Sequence, residues 1–237
     1  MTPLGVVTAL PAEALSYRAC RRPASATVEI ADSVLLRVAG LGADRARQAA
    51  EALLERGARA LVSWGLAGGL DPEFAPGELL LPVQILACDG SAYDTDAAWL
   101  RRAEARLAGS IDPRAVDLLE SSTVLADPAA KASCYERTRA AGVDMESAAV
   151  AAAAARSGVP FLAVRAVCDA AHMPIPKCAL HGLGPGGHLR PLRILVEIGR
   201  RPWEIGAVLE LRRAFRAALA TLRKVAVVMG PRLVAPS

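Results

Sequence analysis

Aromatic side chains are scarce in this chain of 237 residues: three Phe, three Trp and three Tyr make up 4%. So few rings give little with which to stack successive bases, and binding to single-stranded nucleic acid is not expected. Histidine is as scarce. His172, His181 and His188 lie in a Gly/Pro-rich stretch without metal-ligand spacing, so they read as solvated loop residues. The five cysteines, Cys20, Cys88, Cys134, Cys168 and Cys178, are odd in number, scattered and free of any Cys-x-x-Cys pair. That pattern indicates neither a disulfide framework nor a zinc site, and a reduced, cytoplasmic setting is the default. The first residues lack a basic region ahead of their short apolar run, which argues against a signal peptide. No uninterrupted apolar segment reaches membrane-spanning length, so a soluble or at most peripheral protein is expected.

What is abundant is aliphatic: 53% of residues are hydrophobic, with alanine and leucine foremost. This suits helices packed closely on a sheet, and the length suits one α/β domain with a well-buried core. Charge is unevenly placed. Residues 189–237 hold 10 Lys/Arg against 3 Asp/Glu, whereas residues 1–188 hold 18 against 21. The body is mildly acidic and the tail basic.

Residues 4–10 read as a buried strand, after which Pro11 suits a first helical turn that contains Glu13. Strands over 26–30 and 33–39 lead through Gly40-Leu41-Gly42 into an amphipathic helix over 43–56. A Gly-x-Gly turn could open a dinucleotide site, but the next strand ends in Val62-Ser63-Trp64 without the acid that site needs. The strand over 60–64 runs into a loop, Gly65 to Leu70, where glycines let backbone N–H groups approach a ligand. A long strand follows from Pro76 through Ala87, then helices over 95–120 broken at Pro113, and a strand over 123–127. A short strand reaches Asp144, Met145 and Glu146 start a helix, and an apolar strand from Phe161 ends at Asp169. Two helices close the chain, the second over 203–225 with Arg212, Arg213, Arg216, Arg223 and Lys224 mostly opposite its apolar face.

Glu146 and Asp169 thus end neighbouring packed elements, at the carboxyl ends of strands where α/β sheets bind ligands. Each has a plainer reading. An acid at a helix start compensates the dipole and the unbonded N–H groups, which covers Glu13 and Glu146, and Asp169 could cap a turn.

In combination, three segments carry a resemblance. Gly5-Val-Val-Thr-Ala9-Leu10-Pro11-Ala12-Glu13, Met145-Glu146 and Val164-Arg165-Ala166-Val167-Cys168-Asp169 resemble the purine nucleoside phosphorylase and nucleosidase superfamily, over roughly residues 1–180. They are most similar to its methylthioadenosine/S-adenosylhomocysteine nucleosidase branch, and within the superfamily the chain looks closest to the hopanoid-associated phosphorylases. The resemblance implies a single-domain three-layer α/β/α sandwich with a mixed, partly barrel-like sheet. Residues 1–188 would form the catalytic domain, and 189–237 a basic helical extension packed on it.

The implied reaction is cleavage of the N-glycosidic bond of an adenine nucleoside, adenosylhopane giving adenine and ribosylhopane. Asp169 would be the general acid toward N7, Glu13 would activate water, Glu146 would bind the ribose hydroxyls, and Met145 would pack beneath the sugar. The backbone of Gly65, Leu66 and Ala67 would meet the substrate. Neither a metal nor an organic cofactor is implied; phosphate would be a co-substrate only in a phosphorolytic member. The resemblance also implies a homodimer, and the basic tail suggests peripheral contact with the inner face of the plasma membrane.

The sequence departs from the family pattern in three places. Pro11 and Ala12 replace two acids of the opening cluster. Ser63 and Leu66 stand where phosphorolytic members carry a phosphate-binding Arg and a Ser or Thr, which favours water as the nucleophile. No aromatic residue to stack on the base occurs in the loop before Tyr135. The alternatives are phosphorolysis to a phosphoribosyl lipid, hydrolysis of methylthioadenosine or S-adenosylhomocysteine, and a non-catalytic nucleoside-lipid binder.

Overall fold

A computed structural model describes residues 3–17, 28–31, 33–181, 184, 196–197 and 199–236. The strands are β1 (Leu4–Thr8), β2 (Val28–Ala31), β3 (Val34–Val38), β4 (Ala60–Gly69), β5 (Leu79–Leu86), β6 (Ala92–Asp94), β7 (Arg114–Glu120), β8 (Gly142–Asp144) and β9 (Phe161–Asp169). The helices are α1 (Pro11–Tyr17), α2 (Ala43–Glu55), α3 (Ala97–Leu107), α4 (Pro128–Thr138), α5 (Ser147–Arg156), α6 (Lys177–His181) and α7 (Ile205–Met229).

The strands form one mixed sheet in the order β2-β3-β1-β4-β8-β7-β5-β6, and β9 pairs with both β4 and β5. Those last pairings close β4, β8, β7, β5 and β9 into a five-stranded ring. Strand β4 is the branch point. One edge pairs with β9 along its length, while the other pairs with β1 as far as Ser63 and with β8 from Gly68 onward. Between those two partners no strand among the described residues pairs with that edge of β4.

Alternation along the central strands supplies two cores. On one face, Val62, Trp64, Leu162 and Val164 pack with α1, α3 and α7. On the other, Leu61, Ala67, Ala163 and Val167 pack with α2 and the alanine-rich α5. This is the α/β/α sandwich with a barrel-like centre that the resemblance implies. Helix α7 belongs to the core: Leu219, Leu222, Val225 and Met229 are buried. The chain beyond it is pinned by aromatic donors, Trp99 Nε1 to the Leu233 carbonyl at 2.7 Å and Tyr17 OH to the Pro231 carbonyl at 2.6 Å.

Several local expectations are corrected. Residues 65–69 continue strand β4 rather than forming a loop. The helical reading of 95–120 holds only for α3; Arg114–Glu120 is β7, because parallel pairing with β5 and β8 overrides a sequence that also fits helix periodicity. No strand forms over 123–127. Instead Asp127 accepts from Ala129 N at 3.4 Å and, with Pro128 in the first turn, starts α4. The last helix begins at Ile205, after a 3₁₀ turn over Pro202–Glu204, and runs to Met229. Most of the first of the two C-terminal helices, and part of the 26–30 strand, fall outside the described residues. So do Cys20 and His188.

Candidate active site

Glu13 sits in the first turn of α1 and is 3% exposed. Its Oε2 accepts from Ala9 N and Leu10 N, both at 2.8 Å, and its Oε1 accepts from Leu66 N at 2.9 Å. The last of these donors lies on the unpaired stretch of β4, so the carboxylate fills the gap between β1 and β8. Burial pushes this carboxyl above its ordinary range, opposed by the Arg165 guanidinium and the three N–H groups. Gly65 makes the arrangement possible: a Cβ there would lie 2.4 Å from Arg165 Nη1 and 2.5 Å from Glu13 Oε1.

Glu146 does not open a helix with its side chain. It is the residue before α5, and its Oε1 accepts from Gly42 N at 2.8 Å, across from the start of α2. Asp144 does the capping instead, its Oδ1 accepting from Glu146 N at 3.3 Å and Ser147 N at 3.2 Å. With its cap duty removed, Glu146 is left as a buried acid beside another. Burial and the Asp144 charge push it up to about 8.

Asp144 is itself held in a buried network that sequence reasoning did not single out. Arg165 Nη2 lies 2.6 Å from Asp144 Oδ2, 2.6 Å from Ser63 Oγ and 2.9 Å from Ser147 Oγ. Strands β4, β8 and β9 and the start of α5 are thereby tied together under the site. Arg165 lay inside the motif that pointed to Asp169, yet nothing in the sequence shows where its guanidinium turns.

Asp169 ends β9 beside a bulge that pairs it with Gly68. Its Oδ2 takes Lys131 Nζ at 2.5 Å, and its Oδ1 accepts from Cys168 Sγ at 3.0 Å. Burial pushes the carboxyl above the usual range, while the Lys131 charge and the Cys168 and Lys131 hydrogen bonds pull against it. Cys168 is pushed up as well, by burial and then by the Asp169 charge, so it remains a thiol.

Glu13, Glu146 and Asp169 all open on one cavity of about 730 Å³. Met145, Leu66, Ala67 and Gly68 line it too; Gly65 does not. The rest of the wall is mainly aliphatic, and Val208, Leu211 and Phe215 of α7 close one side. Phe215 is the only aromatic side chain among the described lining residues, and Arg212 the only cation. Tyr135 points elsewhere, its hydroxyl donating to Asp71 Oδ2 at 3.0 Å. His172 and His181 are exposed, the latter 3.4 Å from Glu197. Among the described residues no group of three or more His, Cys, Asp or Glu side chains could hold a metal ion.

Three buried carboxylates facing one apolar cavity beside the branch point of a closed sheet define a small-molecule site with acid–base capacity. Residues 4–177 match the family model of the phosphorylase superfamily, and the chain belongs to that superfamily. A search of curated proteins finds no match. Among solved structures, the futalosine hydrolase of Helicobacter pylori superposes with a TM-score of 0.71 at 14% identity, over 98% of this chain and 97% of that one. The 5′-methylthioadenosine/S-adenosylhomocysteine nucleosidase of Neisseria meningitidis, bound to methylthio-immucillin-A, gives 0.69 at 16%, over 97% and 99%. A Helicobacter pylori variant of that nucleosidase with 5′-methylthioadenosine in its active site gives 0.68 at 13%, over 95% and 98%. At such identities these likenesses speak for the fold.

Proposed function

We propose that this protein is a purine nucleosidase that hydrolyses the N-glycosidic bond of an adenine nucleoside bearing a large apolar 5′ substituent, adenosylhopane being the best candidate. The observation that carries the reading is the convergence of Glu13, Glu146 and Asp169 on one cavity whose remaining wall is aliphatic. Asp169 donates a proton to N7 as the C1′–N9 bond breaks and its electron pair passes to the purine. Water attacks C1′ from the other side and gives its proton to Glu13, which is held in place by three N–H groups. Glu146 accepts from the ribose hydroxyls while positive charge develops on the sugar, as in glycoside hydrolysis generally. Met145 packs against the sugar. Phe215, from α7, is the ring available to the base or the 5′ group.

Water is favoured over phosphate because Ser63 and Leu66, at the phosphate positions, have their polar groups engaged, as has the nearby Arg165. Ser63 serves Arg165, Arg165 serves Asp144, and Leu66 N–H serves Glu13. A dianion would lack the charge-assisted donors it needs. A large apolar substrate is favoured by the volume, which lies in the upper half of the roughly 300–1,000 Å³ of small-molecule sites, and by the α7 wall. The start of α7 also supports peripheral contact with an anionic membrane. Trp203 is 76% exposed, with Ile205 and Leu209 also exposed beside Arg212, Arg213 and Arg216.

Purified protein given adenosylhopane or methylthioadenosine, with and without phosphate, tests the reading when the ribosyl product is identified by mass. Phosphate-independent adenine release from the lipid is expected. A phosphoribosyl product would establish phosphorolysis, release from methylthioadenosine alone would replace the substrate, and binding without turnover would leave a binder. Co-sedimentation with phosphatidylglycerol vesicles should weaken in a Trp203→Ser, Leu209→Ser double variant, and unchanged binding would reject the membrane contact.

A further inference from the structure

Helix α4 buries a single residue, and it is a lysine: Lys131 is 0% exposed in a helix whose other side chains reach solvent to some degree. Its Nζ makes three bonds, to Asp169 Oδ2 at 2.5 Å, the Ala170 carbonyl at 2.9 Å and the Met173 carbonyl at 3.0 Å. Three acceptors match the three N–H donors of a lysine ammonium. The bonds tie α4 to the end of β9 and to the turn that follows it. They also occupy Oδ2 of Asp169 and leave Oδ1, which accepts from Cys168, clear of the lysine; Asp169 and Cys168 both line the cavity.

We infer that Lys131 is the positioning residue of Asp169: its ammonium anchors one carboxylate oxygen so that the other faces the purine, and its charge keeps the acid able to part with a proton. Burial alone would hold Asp169 too firmly protonated to be an effective acid near neutrality. Among the described residues, the other ionisable groups on the cavity are Glu13 of α1, Asp144 and Glu146 at the turn from β8 to α5, Cys168 beside Asp169, and Arg212 of α7. Of these only Arg212 is cationic, and it is exposed; the other buried cation, Arg165 of β9, is committed to Asp144, so Lys131 is the buried charge that opposes the burial of Asp169. This inference rests on the proposed role of Asp169 as the acid.

The test is the pH profile of kcat for adenine release in wild type, Lys131→Met, Lys131→Gln and Lys131→Arg. Loss of the cation should raise the alkaline limb by about one to three pH units. At neutral pH kcat should fall by roughly ten- to a hundred-fold, with a smaller change in KM. Lys131→Arg should return the limb toward its wild-type place. A Met or Gln variant that is slower but has an unmoved limb would overturn the inference, since a merely structural lysine predicts that result. Where those variants do not fold, the infrared carboxyl band of Asp169 in wild type, assigned with Asp169→Asn, decides. Conversion to carboxylate near neutrality is expected, and a band that persists through the alkaline range overturns it. If Asp169→Asn itself retains activity, the acid assignment fails, and this inference falls with it.

Discussion

Replacing Gly65 with alanine tests how rigidly the site is built. The added Cβ would lie 2.4 Å from Arg165 Nη1 and 2.5 Å from Glu13 Oε1, about 1 Å inside ordinary contact. Both neighbours are ends of long side chains, which elsewhere would swing aside. Here neither is free. Glu13 is pinned by N–H groups at 2.8, 2.8 and 2.9 Å, and Arg165 by Asp144, Ser63 and Ser147 at 2.6, 2.6 and 2.9 Å. Overpacking of this kind costs about 1–3 kcal/mol, and weakening one buried charged hydrogen bond adds roughly 1.5–3 kcal/mol. We expect Gly65→Ala to lose about 2–5 kcal/mol in urea denaturation and, where it remains folded, to lose activity about a hundred-fold, because a 1 Å displacement of a reacting group costs about that much. Gly206→Ala is the control, since a Cβ there would meet nothing within 4 Å. Equal stability and activity for Gly65→Ala and wild type would mean that Glu13 is not held where the geometry holds it.

Burial and the Asp144 charge push Glu146 up to about 8 from an ordinary 4.5, so the folded state keeps a proton that the unfolded state has lost. Stability should therefore fall as pH rises from 4.5 to about 8, and the advantage of Glu146→Gln in urea midpoint should widen across that window; a constant gap would contradict the burial argument. Asp144→Asn strands a buried guanidinium and should cost about 3–5 kcal/mol by the same assay, whereas a change below about 1 kcal/mol would show that Arg165 finds other partners. Truncation before Ile205 removes Leu219, Leu222, Val225 and Met229 from the core, roughly 6–12 kcal/mol of burial. That exceeds the margin of most domains, so circular dichroism should find no cooperative unfolding transition, and a folded truncation would show that α7 is dispensable.

The elements that carry Glu13 and Asp169 were legible because each is an apolar run ended by proline or a change of polarity, and a local pattern suffices for that. Arg114–Glu120 misled because its alternation is incomplete and its identity as β7 comes from neighbours distant in sequence. Ring closure was beyond local reading for the same reason: it depends on Leu79 meeting Ala166 and Leu80 meeting Arg165. The site divides likewise. Glu13, Glu146 and Asp169 stand at element ends that mark themselves, whereas Lys131 reaches Asp169 from 38 residues away in an undistinguished Pro-Ala-Ala-Lys-Ala run. Phe215 looked like one apolar residue of a terminal helix until that helix proved to be a cavity wall.

The most direct test of the central claim is to run the reaction in water labelled with heavy oxygen, using wild type, Glu13→Gln and Asp169→Asn with an adenine nucleoside. Hydrolysis through Glu13 and Asp169 should give free adenine, label at C1′ of the ribosyl product whether or not phosphate is present, and loss of turnover in both variants. An unlabelled ribosyl phosphate, or undiminished turnover in either variant, would contradict it.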